Sequence, residues 1–256
     1  MTQPGQIGDG GAADVARPWT LCIDIGGTHV KSRVMGPGGE VVGTPVKRPT
    51  PRPATPEALL AIVTAIAETL SFDRVSAGFP GVVVGGVTKT APNLDVGWAG
   101  FALGSRLEAL LGAPVRLAND ADVAGLGVIE GEAVEMMLTL GTGLGAGLYV
   151  DGTLVPNLEL GHHPSGINAE TYEERVGDAV LKRIGEPAWR QRVMAIVEQI
   201  RPIWNFRRLY LGGGNARLLR QADMPADVQL VDNTAGVLGA LRLWEPAGAR
   251  LDVVSH

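Results

Sequence analysis

Two short strings in this sequence set glycines beside oxygen-bearing side chains, a combination that suits phosphate. Asp24-Ile-Gly26-Gly27-Thr28 ends an apolar run with a carboxylate, two glycines and a hydroxyl. The glycines let backbone N–H groups approach phosphate oxygens, and Thr28 adds a hydroxyl donor. Asp24 is a candidate Mg²⁺ ligand, directly or through water, because that ion is shared between carboxylates and substrate phosphates. A plain Gly-Gly hairpin turn would look the same. A second copy, Thr139-Leu-Gly141-Thr142-Gly143, weakens that reading.

Asn119-Asp120 follows a short apolar run and precedes a helical pattern over 121–128. Asp is a favoured N-cap residue, so Asp120 has a purely structural explanation. A carboxylate at a helix start on a cleft edge can equally accept a hydroxyl proton as general base, with the helix dipole favouring the anion. Glu159-Leu-Gly-His162-His163 offers directional polar groups suited to a polyhydroxylated ligand, or simply a solvated loop. Leu211-Gly212-Gly213-Gly214-Asn215 leaves a strand with backbone that can lie against an adenine ring or phosphates, or make a tight turn into a helix. Phe206-Arg207-Arg208 reads as a solvated charged edge, and Trp98, near Asn93, as core or rim.

These groups need a scaffold, and the sequence repeats one. Strands are expected at 21–25, 30–35 and 41–46, a Pro-rich loop at 47–56, a helix from Thr55-Pro56-Glu57 to Leu70, and a strand at 75–79. A glycine hairpin at Gly85-Gly86, a helix near 105–111 and a strand at 115–118 complete the first half. The second half restates this order. Gly141 follows Gly26 by 115 positions, and Asn233 follows Asn119 by 114. Two motifs that keep nearly one offset predict two lobes of like topology, each a sheet flanked by helices, facing across a cleft. The twin of Asp120 is Thr234, which would also cap a helix, so the acid is needed only once, as in a single active site.

Other chemistries are disfavoured. Gly141-Thr-Gly143-Leu-Gly145-Ala146 mimics a dinucleotide fingerprint, but it runs into a hairpin at Asp151-Gly152 rather than opening a helix, and no P-loop string occurs. With 22 Lys and Arg against 27 Asp and Glu, the chain carries a formal charge of −5, a poor match for nucleic acid. No apolar run reaches the length of a membrane span. The single cysteine, Cys22, excludes a disulfide framework and a Cys-rich zinc site, and points to a reducing, cytoplasmic setting. The expected organisation is a flexible leader over 1–18, an N-terminal lobe over 19–118 and a C-terminal lobe over 119–256, whose closing helix near 233–243 can return to the first lobe.

In their order and content these motifs resemble the ROK sugar kinases of the hexokinase–actin superfamily. The likeness runs from Leu21 to about Leu243 through Asp24-Ile-Gly-Gly-Thr28, Phe79-Pro-Gly81, Ala91-Pro-Asn93-Leu94, Asn119-Asp120-Ala121-Asp122, Leu140-Gly-Thr-Gly-Leu-Gly145, Glu159-Leu-Gly-His162 and Leu211-Gly-Gly-Gly214. It implies an α/β fold of two actin-like, ribonuclease H-like lobes and a hexose kinase acting on the 6-hydroxyl of glucose or a close hexose such as mannose. By resemblance, Asp120 is the base, and Asn93, Asn119, Glu159 and His162 bind the sugar. Asp24, Gly26, Gly27, Thr28, Gly141, Thr142 and Gly143 would hold phosphate and Mg²⁺, and Gly212, Gly213 and Gly214 the nucleotide. The family's cysteine cluster for structural zinc is missing, which implies no zinc site; with the compact length, this is similar to bacterial polyphosphate/ATP glucokinases. A homodimer binding a small-molecule hexose, with no nucleic-acid or membrane partner, is expected. A non-catalytic sugar sensor and an actin-like ATPase are the rival readings. If inorganic polyphosphate is the donor instead of ATP, basic residues should continue beyond the loops: Lys31, one hairpin step from Gly27, then Lys47, Arg48 and Arg52.

Overall fold

The computed structural model describes residues 15–166, 168–232 and 235–245. Strands β1 (Thr20–Ile25), β2 (His29–Met35) and β3 (Val41–Pro49) form a meander, and helix α1 (Pro56–Ala67) follows. Thr55 caps α1 by accepting the Ala58 amide, and Pro56 occupies its first turn, where a missing N–H costs nothing. Leu59, Leu60, Val63 and Ile66 recur at helical spacing and are buried against the sheet. Strand β4 (Arg74–Phe79), the hairpin β5 (Val83–Val84) and β6 (Val87–Thr88), helix α2 (Leu103–Leu111) and strand β7 (Val115–Asn119) complete the first half. Gly85 and Gly86 both take positive φ in the hairpin turn. The first sheet has the order β3-β2-β1-β4-β7.

Helix α3 (Asp120–Leu126) leaves β7 directly. The second half then repeats the plan with β8 (Val134–Leu140), β9 (Leu144–Val150), β10 (Thr153–Val155), helices α4 (Tyr172–Val176), α5 (Asp178–Ile184) and α6 (Glu186–Trp204), strands β11 (Arg208–Gly212) and β12 (Val228–Leu230), and helix α7 (Ala235–Arg242). Its sheet order is β10-β9-β8-β11-β12. In both sheets the first three strands are antiparallel and the last two pairings parallel, so β8 occupies in its sheet the place β1 has in the other. The internal repeat is therefore a repeat of topology.

Each sheet has its own core. Helices α1 and α2 cover the first sheet, and α4 and α6 the second, with Trp189 fully buried in α6. Helices α3 and α7, the twins, pack against each other, with α3 against both sheets and α7 against the first. They touch through backbone: a methyl on Gly239 would overlap the carbonyl of Val123, and one on Gly127 that of Ala235. Helix α7 reaches the first lobe, where Ser76 Oγ donates to Ala240 O and the Trp244 indole donates to Ser76 Oγ.

Several local expectations shift. Strand β3 runs on through Lys47, Arg48 and Pro49, which the Pro-rich reading assigned to a loop; as the outer strand of its sheet it tolerates prolines that lack a donor. Helix α2 begins at Leu103 and α3 spans Asp120–Leu126 rather than 121–128. The glycine turn after β11 leads into a 3₁₀ turn, Ala216–Leu218, not an α-helix. Of the leader, 1–14 lie outside the described residues; Val15 packs against the first-lobe core and its carbonyl accepts the Trp19 indole. The twin positions Asn233 and Thr234 also lie outside the described residues.

Candidate active site

A cleft of about 330 Å³ opens between the sheets, and both glycine loops and the α3 N-terminus line it. The β1–β2 turn is closed by Gly26 N donating to His29 O (3.0 Å). Thr50 Oγ1 donates to Gly26 O (2.6 Å) and Arg52 Nη2 to Gly27 O (2.9 Å), which fixes the loop from behind. Asp24 stands half-exposed at the end of an otherwise buried strand, 3.0 Å from Lys31 Nζ. Gly27 lies so close to Asn93 that a Cβ there would sit 3.0 Å from the Asn93 carbonyl. The phosphate loop and the expected sugar residue therefore meet.

Across the cleft, the β8–β9 turn at Gly141, Thr142 and Gly143 is held by Asn215 Nδ2 and Asp178 N, which both donate to Gly141 O. Gly213 and Gly214 border the cleft and a neighbouring hollow of about 540 Å³ that includes Asn215, Arg217 and Asp232.

Asn119, not Asp120, caps α3. Its Oδ1 accepts the amides of Ala121 (2.8 Å) and Asp122 (3.3 Å), while its Nδ2 donates to Gly81 O (3.2 Å) and Glu159 Oε1 (3.3 Å). One amide thus ties the helix start, the first-lobe turn after β4 and the Glu159 loop together. Asp120 is the first residue of α3 and its Oδ1 accepts the Ala121 amide at 2.8 Å. Removal from water pushes its carboxyl up to about 7; the charge of Asp24 adds to this, the Ala121 amide opposes it, and Glu159 and Asp122 contribute less. A carboxylate poised there changes protonation near neutrality, as a general base must.

Glu159 precedes and His162 ends a 3₁₀ turn, Leu160–His162, with His162 Nε2 3.3 Å from Glu159 Oε2. Burial raises the Glu159 pKa, and His162 partly offsets this. His163 turns away and stacks on Tyr172 with ring centroids 5.6 Å apart.

Asp24, Gly26, Gly27, Lys31, Asn93, Asn119, Asp120, Gly141, Thr142, Gly143, Glu159, His162, Gly213 and Gly214 all line the cleft. Thr28 and Gly212 do not. Thr28 is exposed with its carbonyl accepting the Thr50 amide, and Gly212 ends β11, where Met137 and Val231 leave no room for a side chain. Trp98 is core, 2 % exposed, packed at a tilt against Phe79 and donating to Ala54 O. Arg207 pairs with Glu130 and Glu132, a surface arrangement.

Sequence reasoning gave three residues no role of their own, although Asp122 stood in the Asn119-Asp120-Ala121-Asp122 string. Glu173, in the first turn of α4, lines the cleft beside Gly143; its only local signal was the Thr171–Glu174 capping box that starts the helix. Asn157, at φ +64°, crosses between the lobes, where its Oδ1 accepts the Val83 amide and its Nδ2 donates to the Val83 carbonyl, each at 2.9 Å. Asp122, 1 % exposed, accepts the Asn157 amide at 3.0 Å, and burial pushes its carboxyl up to about 7. Among the described residues no group of three or more His, Cys, Asp or Glu side chains could hold a metal, and no helix is long and apolar enough to cross a membrane.

The chain is similar to known proteins over most of its length. The polyphosphate glucokinase of Mycobacterium tuberculosis (strain H37Rv) is 34% identical over 242 residues, 85% of this chain and 88% of the relative. A glucokinase of Streptomyces coelicolor is 33% identical over 188 residues, 67% of this chain and 55% of the relative. The crystal structure of the inorganic polyphosphate/ATP-glucomannokinase from Arthrobacter sp. strain KM superposes with a TM-score of 0.79 at 29% identity, over 88% of this chain and 98% of that one. A ROK family glucokinase from Streptomyces griseus, solved with glucose and AMPPNP, has the same fold, with a TM-score of 0.69 at 22% identity over 88% of this chain and 98% of that one. The family model described as ROK family matches residues 20–171, and the chain belongs to the ROK family.

Proposed function

We propose that this chain is a hexose kinase that transfers a phosphoryl group from ATP or inorganic polyphosphate to the 6-hydroxyl of glucose or a close hexose such as mannose. One observation carries the reading: Asp120, its carboxyl pushed up to about 7, stands at the cleft floor between two glycine loops and beside the Asn119, Glu159 and His162 cluster. The names of the relatives, glucokinase and polyphosphate glucokinase, support it.

In this reading Asn93, Asn119, Glu159, His162 and Glu173 hold the sugar hydroxyls, and Asp120 takes the proton of the 6-hydroxyl as it attacks. Backbone N–H groups of Gly27, Thr142 and Gly143 meet the phosphate oxygens, while those of Gly26 and Gly141 close their turns by donating to His29 O and Gly143 O. Asp24 fits a Mg²⁺ ion: it is an oxygen donor at the cleft face, half-exposed, and paired with Lys31. Bound there, Mg²⁺ would neutralise charge on the donor phosphates. The nucleotide end of ATP lies against Gly213 and Gly214. The Asn157 bridge sets how far the lobes close and exclude water. The reading includes a cytoplasmic homodimer, which light scattering on the purified protein tests.

A coupled assay with glucose, mannose and other hexoses, using each donor in turn, decides the matter. Sugar-dependent turnover is expected. ADP release independent of sugar would favour an actin-like ATPase, and sugar binding without turnover a sensor.

A further inference from the structure

Strand register separates the four basic residues beyond the phosphate loop. Asp24 on β1 pairs with Lys31 on β2, and Lys31 pairs with Lys47 on β3. Directly paired residues share a face, so these three form one row from the cleft floor to the outer edge of the sheet. Lys47 lies about 10 Å from Asp24 across two strand spacings of ~4.8 Å. Arg48 pairs with Val30, whose side chain is buried in the first-lobe core, and so belongs to the opposite face. Arg52 is engaged with Gly27 O and lies 3.9 Å from Asp95.

Two lysines directly opposite one another repel, and such pairs weaken a sheet. Asp24 is nearest Lys31 and compensates only that end of the row. Among the described residues Lys47 forms no ion pair; its carbonyl accepts from Arg48. The row is open at the edge strand, so an anion of any length can run off it. On the nucleotide side, by contrast, the cleft is bordered by the turn at Gly213 and Gly214.

We propose that the Lys31–Lys47 row is a donor track: it holds the phosphates of inorganic polyphosphate that trail the transferred one, with Lys47 selecting for chains long enough to reach the edge strand. This rests on the kinase reading above. The two donors then leave the cleft in different directions, ATP towards the second lobe and polyphosphate over the first.

The test compares wild type, Lys47→Ala, Lys47→Glu and Arg48→Ala in the full chain with long-chain polyphosphate and with ATP. Lys47→Ala should raise the ratio of polyphosphate KM to ATP KM about two- to fivefold, the range for exposed charge pairs. Lys47→Glu should raise it further, Arg48→Ala less, and the differences should shrink as salt increases. Calorimetric titration of the same polyphosphate into Asp120→Asn and Asp120→Asn/Lys47→Glu proteins reads the track without turnover. Equal effects at Lys47 and Arg48, an ATP KM that rises in step, or ATP-driven activity without polyphosphate binding would overturn the track and leave the kinase standing. Absence of turnover with both donors would overturn the kinase reading; weaker polyphosphate binding in the Lys47→Glu protein would still support the track, and unchanged binding would overturn it.

Discussion

Replacing Asp120 by Asn should abolish most turnover and yet make the protein more stable above neutral pH. The cap of α3 survives, because Asn119 provides it through the amides of Ala121 and Asp122. The Asp120 carboxyl is pushed up from an ordinary 3.8 to about 7, so the fold prefers the neutral acid. Three pH units at ~1.36 kcal/mol each give a penalty of roughly 4 kcal/mol for holding the anion. Below about pH 4 the side chain is neutral whether folded or unfolded, and wild type and variant should match. As pH rises from about 4 through about 7, the wild type loses the stability of its neutral acid and the variant does not. Urea unfolding near pH 4, 6 and 8 should therefore show a gap that opens to a few kcal/mol, a rise in Tm on the order of 10 °C for a chain of this size. Turnover should drop by about 10²–10⁴ as the proton acceptor is lost. In the wild type, kcat/KM for glucose should fall below an apparent pKa near 7, a value shared by the coupled Asp120 and Asp122 carboxyls. A variant that keeps near-wild-type turnover, or is no more stable at pH 8, would refute both the base assignment and the origin of the raised pKa.

Three more outcomes are expected. Gly239→Ala should destabilise the chain by about 3 kcal/mol, measured by urea unfolding, because the added methyl meets the Val123 carbonyl and must part α3 from α7; a loss below ~0.5 kcal/mol would show that the helices slide freely. Asn157→Gly keeps the positive φ but removes both bonds to Val83. Glucose KM should rise about thirtyfold with little change in ATP KM, since two hydrogen bonds of ~1 kcal/mol each hold the sugar loop to the first lobe; equal rises in both would point to general loosening. Elemental analysis of purified protein should find no stoichiometric zinc, with activity dependent on added Mg²⁺, because Cys22 is buried and His163 is turned onto Tyr172; one zinc per chain surviving a mild chelator would contradict this.

The sequence alone determined the repeated α/β architecture and its local caps and turns. Two motifs at offsets of 115 and 114 required like topologies, and the two sheets have matching strand orders. Thr55-Pro56 announced α1, and Gly85-Gly86 the hairpin, because caps and positive-φ turns are encoded within a few neighbouring residues. Tertiary structure decided everything that depends on which distant segments meet. Both Asn119 and Asp120 could cap; only the chain's arrival at Gly81 and Glu159 made Asn119 the cap and left Asp120 facing the cleft. Glu173 is an ordinary first-turn acid until α4 is packed beside Gly143. Asn157 is an unremarkable loop residue until Val83, 74 positions earlier, lies opposite its amide. Lys47 and Arg48 are equivalent in a string of basic residues, and a strand's two-residue period gives them opposite faces only once β3 is in register with β2. Local rules act over a few residues; register, burial and the raised carboxyl pKa of Asp120 arise from contacts that no local pattern contains.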